Sequence, residues 1–176
     1  MSMELLAPAG SRKALTAAVQ SGADAVYLGG PRFGARYSAE NFTIEEMKTW
    51  VDYCHLYGVD VHVTVNTLVK EKEIESLKEY LKQLNEIGVD ALIVQDLGAV
   101  EIIKKTVPDM TLHASTQMTV TSLEGVKYLE DMGFSRVVLA RELSEKEIEH
   151  ICKNAKAEIE VFVHGAICIC YSGQCL

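Results

Sequence analysis

The chain has 176 residues, 48% of them hydrophobic and 24% charged, with a formal net charge of −8. That balance is the composition of an ordinary globular domain, which one core can fill. The acidic excess is also a poor match for a phosphate backbone, which is normally met by a lysine- and arginine-rich surface, so any RNA-binding role has that objection to answer.

No apolar run approaches bilayer-spanning length. The opening MSME has neither the basic region nor the apolar core of a signal sequence. A cytoplasmic protein, with no membrane partner, is expected. The five cysteines are an odd count. In a reducing compartment they are expected as thiols, metal ligands or catalytic groups, not as a disulfide framework.

Along the chain one pattern recurs: a polar stretch with helical period, a glycine, a short β-branched run, then a polar turn. "SGADAVYLGG", "YGVDVHVTVNT", "IGVDALIVQDLG" and "MGFSRVVLARELS" are four instances. The pattern predicts strands over 4–6, 24–28, 60–65, 91–94, 110–113, 136–139 and 158–163, with six helices between them. Gly22, Gly58, Gly88 and Gly133 stand just past helical patterns, where a left-handed residue closes a helix. Ile74, Leu77, Leu81 and Leu84 line one face of a helix predicted over 71–87. Capping boxes are expected at Thr43 with Glu46, Thr121 with Glu124, and Ser144 with Glu147.

Near-continuous apolar strands alternating with helices predict parallel strands in a single α/β domain over 1–176. A doubly wound sheet would carry a glycine-rich fingerprint after its first strand, and "APAGSRKA" offers one glycine. The expected fold is a TIM-type (β/α)8 barrel truncated to about seven strands. The chain is accordingly expected to be a piece of a longer protein, with open sheet edges that favour a homodimer.

In such folds chemistry gathers beyond the carboxyl ends of the strands. Those positions hold Arg36 in the loop "PRFGARYSAENF", then Asn66, Gln95 and Asp96. Later in the chain they hold His113, Gln117, Arg141, Glu142 and His164. Asn66 and Gln95 read either as ligand contacts or as helix caps. His113 reads either as a site residue or as a core histidine. Arg141 with Glu142 reads as an anion site or as a local ion pair. Cys54 and Cys152, within helical patterns, read as small buried hydrophobes. Cys168, Cys170 and Cys175 fall where the last strand gives way to a Gly/Ser turn. Spacing alone leaves them as a metal or cluster site, as structural thiols, or as a nucleophile paired with His164.

"EVFVHGAICICYSGQC" closely resembles the signature of peptidase family U32, the collagenase-like peptidases. Glu160, Phe162, Gly165, Ala166, Ile167, Cys168, Gly173 and Cys175 match it. "ELLAPAGS", "GADAVYLGGPRFGAR", "VTVNTL", "DALIVQDLG", "LHASTQMT" and "VVLARELS" extend the resemblance along the chain, toward the branch that hydroxylates ribosomal RNA cytidine. The resemblance implies a barrel fold and an oxygen-independent hydroxylase acting on an RNA base. It also implies prephenate as co-substrate and a four-iron, four-sulfur cluster on four cysteines. Cys168 and Cys175 match two of those ligands, with the other two expected beyond Leu176. Cys170 departs from the pattern. Arg36, Asn66, His113, Gln117, Arg141 and His164 are the expected substrate-binding residues, the arginines suiting the two carboxylates of prephenate. A collagenase-like peptidase is the alternative.

Overall fold

A computed structural model describes residues 3–35, 41–165 and 168–174. Arg36 and Cys175 lie outside the described residues. Among the described residues seven strands and six α-helices alternate, and the residues group into two compact units, Met1–Met110 and Thr111–Leu176.

In the first unit the strands are β1 (Leu6–Pro8), β2 (Ala25–Gly29), β3 (Asp60–Val65) and β4 (Ala91–Val94). They lie side by side in chain order and run parallel, with Leu6 opposite Ala25, Ala25 opposite Asp60, and His62 opposite Ala91. The helices are α1 (Arg12–Gln20), α2 (Ile44–Leu56), α3 (Ile74–Glu86) and α4 (Leu97–Thr106). Parallel strands need a crossover between them, and each helix supplies one while covering the sheet. Leu77, Tyr80, Leu81 and Leu84 turn inward from α3 as the helical period requires. They join Val26, Leu28, Met47, Val51, Val61, Val63 and Leu92 in a core that is essentially closed to solvent.

The second unit holds β5 (Thr111–Ala114), β6 (Arg136–Val138) and β7 (Glu158–Glu160), again parallel and in chain order. Its helices are α5 (Leu123–Asp131) and α6 (Glu145–Asn154). Seven parallel strands, each but the last followed by a helix, are the barrel-type α/β class expected from the sequence.

The local signals are visible in detail. Gly22, Gly58, Gly88 and Gly133 all have positive φ. The Thr43–Glu46 and Ser144–Glu147 capping boxes form. The third box does not: Ser122, not Thr121, caps α5, its Oγ accepting from the Gly125 N–H at 3.1 Å. Strand ends also differ. β7 stops at Glu160 instead of 163, because β6 offers it three residues of partner. The last bond of the pair is Leu139 N–H to the Glu160 carbonyl at 2.9 Å. β1 begins at Leu6, two residues late, with the preceding Leu5 N–H donating to the Asp24 carboxylate at 2.8 Å instead.

Cys54 is buried on α2 as expected, but Cys152 is exposed. On α6 the inward position is Ile151, and the next residue is rotated about 100° around the axis, onto the solvent face. No helix among the described residues is long and apolar enough to cross a membrane.

Candidate functional site

In the first unit the carboxyl ends of β2 and β3 are tied together. Asn66 Oδ1 accepts from the Ala35 N–H at 3.0 Å, which fixes the loop after β2 against the exit of β3. Arg32 reaches α3, donating to Ser76 Oγ at 2.7 Å. Asp96 caps α4 through the Ala99 N–H and also accepts from the Val69 N–H, both at 2.9 Å. Its carboxylate is thereby committed to loop geometry. Gln95 is half-buried beside it.

The second unit brings more of the expected residues together. Beyond β5, Ser115 Oγ accepts from the Gln117 N–H at 3.2 Å and opens a single 3-10 turn, Thr116–Met118. The turn runs into Thr119 at φ 56°. A β-branched residue in the left-handed region carries strain on the order of 1–3 kcal/mol, which persists only where surrounding contacts hold it. One such contact is its hydroxyl, which donates to the Ser172 carbonyl at 2.6 Å.

Ser172 lies in the thiol-bearing segment and is fully buried. Its N–H donates to Glu142 Oε1 at 2.9 Å. Its Oγ accepts from the Arg141 N–H at 3.2 Å and from Arg141 Nε at 3.3 Å. Arg141 and Glu142, which follow β6, therefore both grip this serine. Burial works to raise the Glu142 carboxyl, but the hydrogen bonds from Ser172 and the nearby Arg141 charge overcome it and hold the group below the usual carboxylate range. Gly173 follows at φ 75° against the Gln117 carbonyl, with no room for a side chain. The Gln174 N–H closes the turn onto the Tyr171 carbonyl at 3.0 Å.

Gln117 and Arg141 thus converge on the segment that carries the thiols. Cys168 is exposed and Cys170 half-buried there. His164 is exposed beyond β7. His113 is buried on β5, in register with Arg136 of β6. Arg141 also lines a cavity of about 150 Å³, whose other walls are the apolar Leu139, Ala140, Leu143, Ile148, Val161 and Phe162. Among the described residues, no three His, Cys, Asp or Glu side chains gather as a metal-holding set.

Sequence reasoning missed two features. Ser172 read as a turn residue, with nothing in "YSGQC" to mark it as buried. Arg136 read as the start of an apolar strand. Its side chain is 10% exposed and donates to Glu158 Oε2 from Nε and Nη2 at 2.9 and 2.6 Å, with Glu160 Oε2 3.7 Å from Nη1. The available signal was an arginine opening "RVVLA" and two glutamates in "EIEVFV", since a charge inside a buried strand needs a partner.

Solved structures confirm the class of fold. A U32 peptidase superposes with TM-score 0.72 over 92% of this chain and 69% of its own, at 22% identity. Thiamine phosphate pyrophosphorylase from Pyrococcus furiosus gives 0.63 over 90% and 73%, at 15% identity. This is a barrel-type α/β protein that presents thiols beyond the carboxyl ends of its strands.

The model of peptidase family U32 matches residues 10–176, and the chain belongs to that family. It is 44% identical over 98% of its length to the 23S rRNA 5-hydroxycytidine synthase of Escherichia coli (strain K12), of which it covers 26%. It is 42% identical, again over 98% of its length, to tRNA hydroxylation protein P1 of Bacillus subtilis (strain 168), of which it covers 41%. The chain therefore spans less than half of either relative.

Proposed function

We propose that this chain forms the barrel part of an RNA base hydroxylase that uses prephenate and a four-iron, four-sulfur cluster. The observation that carries the RNA-hydroxylase part of the reading is the 44% and 42% identity, across nearly the whole chain, to two proteins named for hydroxylating RNA, while prephenate and the cluster rest on the family resemblance. The local geometry is compatible. Arg141, held next to the thiol segment, supplies a charge for a carboxylate.

The donor set fits part of a cluster. Cys168 is an exposed thiol on an irregular segment, where a soft metal can reach it. Cys168 and Cys175 are two of the proposed thiolate ligands, the other two coming from elsewhere in the whole protein. When bound, the cluster would supply Lewis acidity or an electron path. The chain's own residues orient substrate: Arg141 and Arg36 take the carboxylates, while Asn66, His113, Gln117 and His164 are proposed along the substrate path. A base swung out of its stack needs only a small contact, which answers the objection of an acidic surface.

The test uses the full-length protein, reconstituted anaerobically with iron and sulfide and given prephenate and unmodified RNA. Nucleoside mass spectrometry is expected to show one added oxygen, lost in Cys168→Ala and reduced in Arg141→Ala. No added oxygen in the reconstituted wild type overturns the reading. The family's peptidase description favours a second reading, with Cys168 as nucleophile and His164 as base. Gelatin turnover that survives chelation and is lost in Cys168→Ala would select it. Pairing of two copies of residues 1–176 through the open edges at β1 and β7 is a separate proposal, read by light scattering, and a clean monomer would overturn it.

A further inference from the structure

We propose that Ser172 is the positioning residue of the thiol-bearing segment, held by Thr119, Arg141 and Glu142. Its link to cluster binding rests on the function proposed above.

Among the described residues 168–174, Ser172 is the buried one. Ile169 and Tyr171 are 101% and 70% exposed, so apolar burial does not hold this stretch down. Polar anchoring does. The serine uses its N–H, its carbonyl and its hydroxyl, and each bond goes to a residue just past β5 or β6. Carbonyl and N–H bonds fix the backbone path, and the hydroxyl bond fixes the rotamer. Gly173 then packs against the Gln117 carbonyl with no space for a Cβ, so the turn can neither slide nor roll.

Cys168 and Cys175, the proposed ligands, flank this anchor in the sequence, four residues before it and three after, and Cys170 lies between as a reporter thiol. A thiol set that receives a metal works best when its backbone is fixed beforehand, because ordering the loop otherwise opposes binding. Thr119 carries the decisive contact: its hydroxyl joins β5 to the thiol segment at the shortest of the four distances. That position holds threonine in left-handed backbone, where serine would keep the hydroxyl and valine would remove it at nearly constant shape.

The experiment compares wild type, Thr119→Val, Thr119→Ser and Ser172→Ala. Native-state alkylation of Cys170 is followed by mass spectrometry, with exposed Cys152 on α6 as internal standard. Expected are several-fold faster Cys170 labelling in Thr119→Val and Ser172→Ala, a wild-type rate in Thr119→Ser, and no change at Cys152. Unchanged Cys170 labelling in both disruptive variants overturns the proposal, and so does native-state labelling of the buried Cys54 on α2, which signals global loosening. In the full-length protein, the visible charge-transfer absorption after iron and sulfide reconstitution should fall in Thr119→Val and return in Thr119→Ser. Absorption equal in all variants overturns the link to metal binding. If instead the wild type shows no band while Cys170 labelling responds as expected, the cluster reading fails and the anchoring role stands.

Discussion

The Tyr80 hydroxyl occupies the space that a side chain on Gly30 would need. Tyr80 is 2% exposed, its oxygen has no hydrogen-bond partner among the described residues, and its ring tilts against Phe33 at a centroid distance of 5.8 Å. Burial pushes the phenol strongly upward, against a smaller opposing effect of Arg32, and keeps it neutral.

Tyr80→Phe therefore removes a desolvated polar atom without removing a bond. Stability is expected to stay level or rise by about 1 kcal/mol. Gly30→Ala is expected to destabilise, because the new methyl meets the phenol. The two changes together should lose less than the sum of the singles. Urea unfolding of the four proteins measures this coupling; strict additivity would show that the contact is not what constrains Gly30.

Gly173→Ala places a Cβ against the Gln117 carbonyl and 2.8 Å from Thr119 Oγ1, on backbone with φ 75°. The expected effect is local, on the order of 1–3 kcal/mol of lost protection around the turn. Hydrogen exchange should quicken at residues 171–174 while the strands of the first unit keep wild-type rates.

Asp90 joins three elements. Its Oδ2 accepts from the Val61 N–H at 2.7 Å and from His55 Nε2 at 2.8 Å, linking the ends of α2, β3 and β4. Asp90→Ala leaves the Val61 N–H without its acceptor and is expected to cost about 1–3 kcal/mol. Asp90→Asn, which keeps an oxygen, should cost less. Denaturant midpoints distinguish the two.

Cys54 should resist alkylation until the protein unfolds, while Cys152 reacts in the native state. Burial foremost, with the charge of Asp90 added, pushes the Cys54 thiol up to about 11. An unfolded thiol ionises near 8.5. Between those values the folded state keeps a proton that the unfolded state has released, so stability is fully present below the lower value and falls as pH rises through the higher one. The Tm of wild type should drop more steeply with alkaline pH than that of Cys54→Ala, measured by calorimetry. Parallel slopes would contradict the shift.

Much of the architecture is written locally. The α3 stripe of Leu77, Leu81 and Leu84, the caps at Thr43 and Ser144, and the glycines past each helix act within a few residues of themselves. Strand lengths were less legible, because β7 ends where β6 stops offering partners. Cys152 illustrates a finer limit. Its neighbour Ile151 is apolar and buried, but one position along a helix is enough to change face.

The sequence by itself determined the alternation of elements, the parallel class of strand and the family, since periodicity, capping and motif spacing are carried by neighbouring residues. Only the tertiary structure decided that Ser172 is the anchor of the thiol segment and that Arg136 is paired across strands. Those contacts join residues 53 and 22 positions apart, and a hydrogen bond depends on where the folded backbone brings donor and acceptor, which no local pattern records.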